Sequence, residues 1–405
     1  MTQIAIVNQF GTIPGESGYS RTHYIAQYLS ESGVQVDFIC GSFNHWTKRQ
    51  KDDALYTNSN LPYHTVRIQQ PDYPKNISIK RLLSLNIYAR NLKNYLYQNK
   101  GKYNLIINVM PPSKAGAIVA KFCKSEKIPF VIDLNDLWPE AMGMVIKNKV
   151  IRNIVTYPMK RNVDKVYAAA DGIIGTSDTY RDRPLLVNKK DIPKITVYVG
   201  TDIDTFDKGI NANIQIPQLE KDGYWVTYAG TLGASYDIHT LIKAGGILKK
   251  KGYKDIKIMI LGDGPLRKDF EVTAKEAEAN VDFKGYMPYD QMAAYLKMSD
   301  ILINSFIKSA PQSIVNKIGD YLSAGKPMIN TGSDKEFRAL VTDKNFGINV
   351  EAENPEALAD AIELLYQSKD KSEIYSKNAR ETAEKYFDRK TSYQEIIKLV
   401  RQLTQ

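Results

Sequence analysis

Short apolar runs, each bounded by glycine or polar turns, alternate along this chain with segments whose apolar positions recur three and four apart. Ile4-Ala5-Ile6-Val7 reads as a buried strand. The loop Gly11–Gly18, a helix of YIAQYL type ending near Gly33, and the strand Val34–Ile39 complete a first β-α-β unit. A strand over Tyr103–Val109, a helix over Ser113–Lys124 and a strand over Phe130–Leu134 extend it, so a parallel sheet is under construction. Ala168–Ser177 and Ile195–Phe206 close this half. Lys208–Asp222 is polar, contains proline and reads as a linker. The pattern then restarts. Trp225–Gly230 is a strand, Thr231–Ser235 a turn, Ile238–Leu248 a helix and Ile256–Leu261 a strand, and residues 281–306 give strand, loop, helix, strand. A short helix carries Ile314, Val315, Ile318, Tyr321 and Leu322, stops at Gly325 with Pro327 beyond, and feeds the strand Met328–Asn330. The tail from Asn354 to Gln405 is helical.

Two α/β domains of about 200 residues each fit the 405 residues. The composition, 43% hydrophobic and 25% charged, is that of a globular protein, and no stretch reaches the roughly 18 apolar residues of a membrane-spanning helix. MTQIAIVNQF has no basic flank and no cleavage site, so it is expected not to be a signal peptide. Cys40 and Cys123 have no motif spacing, which fits a reducing cytosol. The histidines His23, His45, His64 and His239 are scattered and give no metal-ligand spacing.

Charge changes the picture more. Residues 1–200 hold 27 Lys and Arg against 15 Asp and Glu, whereas residues 201–405 hold 28 against 30. The net charge of +10 therefore comes from the first half. An anionic partner there is expected: a membrane surface, a phosphorylated acceptor or nucleic acid, with a merely solubilising surface as the alternative. Residues 75–102 carry Lys75, Lys80, Arg81, Arg90, Lys93, Lys100 and Lys102 and no acid, interleaved with Ile79, Leu82, Leu83, Leu85, Ile87, Leu92, Tyr95 and Leu96. Such a helix lies on an anionic leaflet or packs its apolar face on the domain core. Lys147, Lys149, Arg152, Lys160, Arg161 and Lys165 form a second basic run. No recognisable nucleic-acid module accompanies these runs, so nucleic acid is not expected as a partner.

Candidate chemistry collects where strands end. The polar turn Ser309–Ser313 opens the short helix, and Gly230–Ser235 precedes another; free backbone N–H groups and the helix dipole favour an anion at both. Asp320 lies two helical turns beyond Gln312, placed to take ribose hydroxyls. Asp136 and Glu140 follow the strand Phe130–Leu134 at the carboxyl edge of its sheet, while Asp133 belongs inside the strand. Asp202 and Asp204 form a D-x-D pair, read as the end of a strand and the start of a linker rather than as a metal motif.

Gln312–Asp320 followed by YLSAGKP resembles the donor-binding segment of family 4 retaining glycosyltransferases of the GT-B fold. That family usually has Glu at the places of Gln312 and Asp320. DLWP, in the stretch NDLWPEAMG that follows Leu134, resembles the bacterial capsule and O-antigen branch, and in many members of the family a His-Asp pair stands at the place of Asn135-Asp136. The family's Arg and Lys after the first glycine of GTLGAS are missing, Thr231 standing in the Arg position. VDFKGYMPYDQ resembles the base-binding region, and GESGYSR, with Gly15, Gly18 and Arg21, the loop lining the donor and acceptor cleft.

The resemblance implies two facing Rossmann-like doubly wound domains: an acceptor-side domain at 1–205, a nucleotide-sugar domain at 206–387, and a helix at 388–405 packing back on the first, with Tyr386-Phe387 near the crossing. It implies transfer of a hexosyl or N-acetylhexosaminyl group, with retention, from a nucleoside diphosphate, a UDP-sugar, to a hydroxyl of a lipid-linked glycan in surface polysaccharide synthesis. Asp136 would be the catalytic carboxylate. Gly18, Gly230, Thr231, Leu232, Gly233, Tyr286, Met287, Gln312, Ile314, Val315 and Asp320 would bind the donor. Arg267 and Lys317 would supply the cationic clamp. No metal and no cofactor is implied, and the location would be cytoplasmic, peripheral on the inner face of the membrane. The departures at Gln312, Thr231 and Asn135 keep open a non-catalytic transferase-like subunit, and a UDP-sugar epimerase of the same fold is the further alternative.

Overall fold

The computed structural model describes residues 2–18, 21–141, 148–213, 221–310 and 314–405. The chain forms two compact units, Met1–Val197 with Tyr393–Gln405, and Tyr198–Ser392.

The first unit is built on a parallel sheet of seven strands. They are β1 (Gln3–Asn8), β2 (Gln35–Gly41), β5 (His64–Ile68), β6 (Leu105–Met110), β7 (Phe130–Leu134), β8 (Gly172–Gly175) and β9 (Lys194–Thr196), with β3 (Phe43–Asn44) and β4 (Arg49–Gln50) making a small separate ladder. The order β5-β2-β1-β6-β7-β8-β9 reverses direction between β1 and β6. Strands β1, β6 and β7 show no polar–apolar alternation, and are apolar inside but for Asn108 and Asp133, because helices cover both faces. One face carries the helices Ile79–Gln98, Ser113–Glu126 and Lys149–Ala169, whose core includes Leu92, Leu96, Val119, Phe122, Val163 and Tyr167. The other receives Arg21–Glu31 and the final helix Gln394–Thr404, through Ile25, Leu29, Tyr393, Ile396, Ile397 and Val400. The last helix thus belongs to the first unit.

Arg21 corrects its sequence assignment. It does not line a glycine loop but is fully buried, with Asp133 as a two-point partner (Nε to Oδ2 3.3 Å, Nη2 to Oδ1 3.2 Å) and a further bond from Nη1 to the Tyr393 hydroxyl. Two full charges leave water together here, which is tolerable only because both ends of the pair are satisfied. Asn135 adds a bond to Asp133 Oδ2.

The second unit has a six-stranded parallel sheet: β10 (Tyr224–Ala229), β11 (Ile256–Leu261), β12 (Val281–Gly285), β13 (Ile301–Asn304), β14 (Met328–Asn330) and β15 (Gly347–Asn349). Its order, β12-β11-β10-β13-β14-β15, is that of a doubly wound dinucleotide-type sheet, with the reversal between β10 and β13. The expected linker begins as structure instead. Ile203–Asn213 is a helix that buries Ile203, Phe206 and Ile210 in the core of this unit. Their three-and-four spacing carried the helical signal, which the surrounding polar residues obscured. Residues 214–220 lie outside the described residues. Asp202 accepts from Thr205 N–H and starts that helix, and Asp204 pairs with Lys390.

Candidate functional site

Ligands of doubly wound sheets sit beyond the carboxyl ends of the strands where the order reverses. In the second unit this point lies between the loop after β10 and the segment after β13. Gly230 leaves β10 with φ +148°, a conformation side chains rarely adopt, and a Cβ there would sit 3.2 Å from the Lys317 amine. Lys317 opens the helix Lys317–Ser323. Its stem reaches the surface but its Nζ is buried and has no hydrogen-bond partner among the described residues. Three tyrosine rings surround it, with centroids at 4.0 Å (Tyr228), 4.4 Å (Tyr236) and 5.9 Å (Tyr321). Loss of water lowers its pKa to about 7. This is a positive group held on aromatic faces, with all its N–H donors unassigned, at the mouth of the sheet.

The two helix N-termini assigned to phosphate look different in the structure. The helix after Gly230 starts at Ile238 and is capped by its own acid, Asp237, which accepts from Thr240 N–H at 3.2 Å and from Glu353 N–H at 3.1 Å. The helix after β13 starts only at Lys317, because Ile314 and Val315 pack into the core as irregular chain. Gln312 lies outside the described residues. Leu232 is a fully buried anchor whose N–H donates to Asp263 O and whose carbonyl accepts from Leu266 N–H; Thr231 is exposed and Gly233 half-buried beside it.

Asp320, one turn on from Lys317, accepts from the Thr201 hydroxyl (2.5 Å) and the Tyr289 hydroxyl (2.7 Å). Burial raises its pKa, against the pull of those two bonds and the nearby Arg389. Arg267 ties the loop after β11 to the end of β12: it reaches Phe283 O at 3.4 Å and is neutralised by Glu271 (2.9 Å) and Asp263 (3.6 Å). Of the two proposed clamp cations, only Lys317 has no acid against it. In the loop after β12, Tyr286 is 86% exposed while Met287 packs on the core. The sequence reading missed the tyrosine ring around Lys317, and the Thr201 and Tyr289 hydroxyls on Asp320. Tyrosines in strands, turns and helices carry no motif that would have marked them.

The first unit has its own edge. Asp136 follows β7, and its oxygens accept from Leu137 N–H and the Trp138 indole N–H, both at 2.8 Å. Burial raises its pKa, with those bonds opposing. Glu140 is held by Arg183 at 2.6 Å. Gly18, φ +140°, is needed where it stands because a Cβ would enter the Trp46 ring at 2.5 Å. The loop before it is fixed by a buried Glu16–Lys51 pair, with Tyr56 donating to Glu16. The two basic helices divide along their length. Helix Ile79–Gln98 buries Tyr88, Leu92 and Leu96 but leaves its first turns exposed, Ile79 at 85% with Leu82 and Leu83 beside it. Helix Lys149–Ala169 likewise exposes Val150, Ile151 and Val155, with Ile154 at 70%. Both helices start at the carboxyl edge of the sheet, since both follow strands of one parallel sheet.

The comparisons bear on this geometry. Residues 210–382 match the family model of Glycosyl transferases group 1. That stretch holds every described donor-side residue named above except Gly18, Thr201 and Arg389. An uncharacterized glycosyltransferase of Methanocaldococcus jannaschii is 24% identical over 259 residues, covering 62% of this chain and 64% of that protein. A Campylobacter jejuni enzyme named as an α-1,4-N-acetyl-D-galactosaminyltransferase acting on a diphospho-undecaprenol-linked glycan is 25% identical over 175 residues, covering 43% and 47%. The chain thus spans less than two thirds of the length of these relatives. Among solved structures, Anabaena HepE in complex with UDP superimposes with a TM-score of 0.70 at 17% identity, covering 100% of both chains. The fold is GT-B. With the group 1 domain, it supports a glycosyltransferase.

Proposed function

We propose that this chain is a retaining glycosyltransferase of the family 4 type that moves a hexosyl or N-acetylhexosaminyl group from a UDP-sugar to a hydroxyl of a lipid-linked glycan in bacterial surface polysaccharide synthesis. The observation that carries the reading is the buried Lys317 ammonium, without a hydrogen-bond partner among the described residues, at the strand-order reversal of the group 1 domain. In the reaction the bond from the anomeric carbon to the diphosphate breaks, and the acceptor oxygen bonds to that carbon on the same face. The acceptor's proton leaves with the diphosphate. Positive charge on the sugar and negative charge on the leaving group grow together, so a fixed cation at the diphosphate lowers the barrier. Lys317 would be that cation, which makes a metal unnecessary. Asp320 would hold the ribose, exchanging its Thr201 and Tyr289 bonds for ribose hydroxyls. The exposed Tyr286 and the backbone beside Met287 would meet the base. Gln312 would contact sugar hydroxyls, and Asp136 the acceptor.

The membrane side of the reading is supported by the exposed Ile79, Leu82, Ile151 and Ile154 among Lys80 and Arg152, a combination suited to the cytoplasmic face of an anionic leaflet. The test is a thermal-shift and turnover screen against nucleoside diphosphates and their sugars, with and without chelator. Stabilisation by UDP that survives chelation, with slow UDP release from one sugar, is expected. No shift with any nucleotide refutes the transferase reading and favours a non-catalytic subunit.

A further inference from the structure

Four loops at the carboxyl edge of the first sheet bring together two cations that, among the described residues, pair with no acid. Lys48 follows β2 and Arg81 follows β5, at the first turn of helix Ile79–Gln98. The Arg81 guanidinium lies over three rings, at 5.4 Å from the Trp138 centroid and 5.9 Å from those of Phe10 and Tyr73. The Lys48 amine is 5.2 Å from the Tyr73 ring. Both cations share a neutral acceptor: Lys48 donates to Asn76 Oδ1 at 2.5 Å and Arg81 Nη1 to Asn76 O at 2.6 Å. His45, whose Nδ1 is 2.6 Å from the Tyr73 hydroxyl, closes the cluster. Its pKa falls to about 4 through burial and the two neighbouring cations, so it adds no charge near neutrality. Arg81 repels the Lys48 charge as well, adding to the effect of burial in lowering the Lys48 pKa. Arg81 Nε is buried with no partner among the described residues, and the undescribed residues of this unit contain no carboxylate. Two like charges kept together at a sheet edge, with a donor left open, are stable when an anion joins them.

We propose that Lys48 and Arg81, walled by Phe10, His45, Tyr73 and Trp138, form an anion site that takes a phosphate group of the acceptor. Trp138 links it to the proposed reaction, since its indole N–H donates to Asp136 Oδ2 at 2.8 Å. The identity of the phosphate's carrier rests on the transferase reading; capture of the anion does not.

The test uses the full chain carrying Lys317→Met, which silences the donor-side cation. Inorganic pyrophosphate is titrated by calorimetry, and binding to phosphatidylcholine vesicles containing phosphatidic acid is measured by sedimentation. Lys48→Gln with Arg81→Gln is expected to weaken anion binding about ten-fold or more, while Arg81→Lys stays within a few-fold. If the double variant fails to fold, Lys48→Gln alone carries the comparison. Tighter binding to vesicles, lost in the variant, identifies a lipid-borne phosphate. Pyrophosphate binding without vesicle binding identifies a soluble phosphorylated acceptor. Unchanged affinity in the double variant, or no binding of either probe to the Lys317→Met chain, overturns the site. Neither result touches UDP binding by the unmodified chain, which tests the transferase reading separately.

Discussion

Replacing Lys317 by Met tests the donor site most directly, because it predicts opposite effects on stability and on binding. The unfolded chain holds this lysine protonated up to about pH 10.4. The folded chain lets it go near pH 7. Across that window the unfolded state binds one more proton, so the wild-type chain gains stability as pH rises from 7 to 10 and carries the full cost of the buried charge below 7. The drop from 10.5 to about 7 corresponds to ~5 kcal/mol. The faces of Tyr228 and Tyr236 offset ~1–2 kcal/mol each, which leaves a net cost of ~1–3 kcal/mol. Lys317→Met should therefore melt a few degrees higher than wild type at pH 6, with the gap narrower at pH 9 and closed only near pH 10. The same substitution removes a charged contact to the diphosphate worth ~2 kcal/mol or more, so UDP should bind about thirty-fold more weakly. Calorimetric melts at pH 6 and pH 9, each with and without UDP, read both effects. A flat wild-type stability between pH 6 and pH 9, or an unchanged UDP shift in the variant, would refute the reasoning.

Other perturbations separate the two units. Asp136→Asn should lower turnover about a hundred-fold while leaving the thermal shift by UDP intact; an equal loss of UDP binding would contradict its acceptor-side role. Asp133→Asn strands the Arg21 charge and should cost ~3–5 kcal/mol in urea unfolding, whereas Arg21→Met with Asp133→Leu should recover most of it. Gly18→Ala forces a side chain at φ +140° into the Trp46 ring and should cost ~1–3 kcal/mol, read as a lower melting midpoint. Leu82→Glu with Ile154→Glu should abolish sedimentation with anionic vesicles and spare turnover on a soluble acceptor; retained sedimentation would remove the membrane reading.

Strand positions were determined by local sequence. Phe130–Leu134 and Ile256–Leu261 are apolar but for Asp133 and Lys257, and a short, otherwise apolar run bounded by turn residues reads as a strand covered on both faces. Repetition of strand and helix fixed two parallel sheets, and Gly325 with Pro327 fixed a helix end. Pairing was beyond its reach. Arg21 and Asp133 are 112 residues apart, and the sequence gives an arginine near a glycine loop no reason to be buried; only the sheet brings its partner beneath it. The same holds for Lys317, whose meaning depends on Tyr228 and Tyr236 arriving from another strand and its turn. Asp237 illustrates the reverse: a local cap, one residue before its helix, closed an end that the turn pattern had left open for phosphate. Periodicity reports which face of a segment avoids water, a property of neighbouring residues. Which charge is left without a partner depends on contacts across the whole fold, and at this site tertiary structure alone decided it.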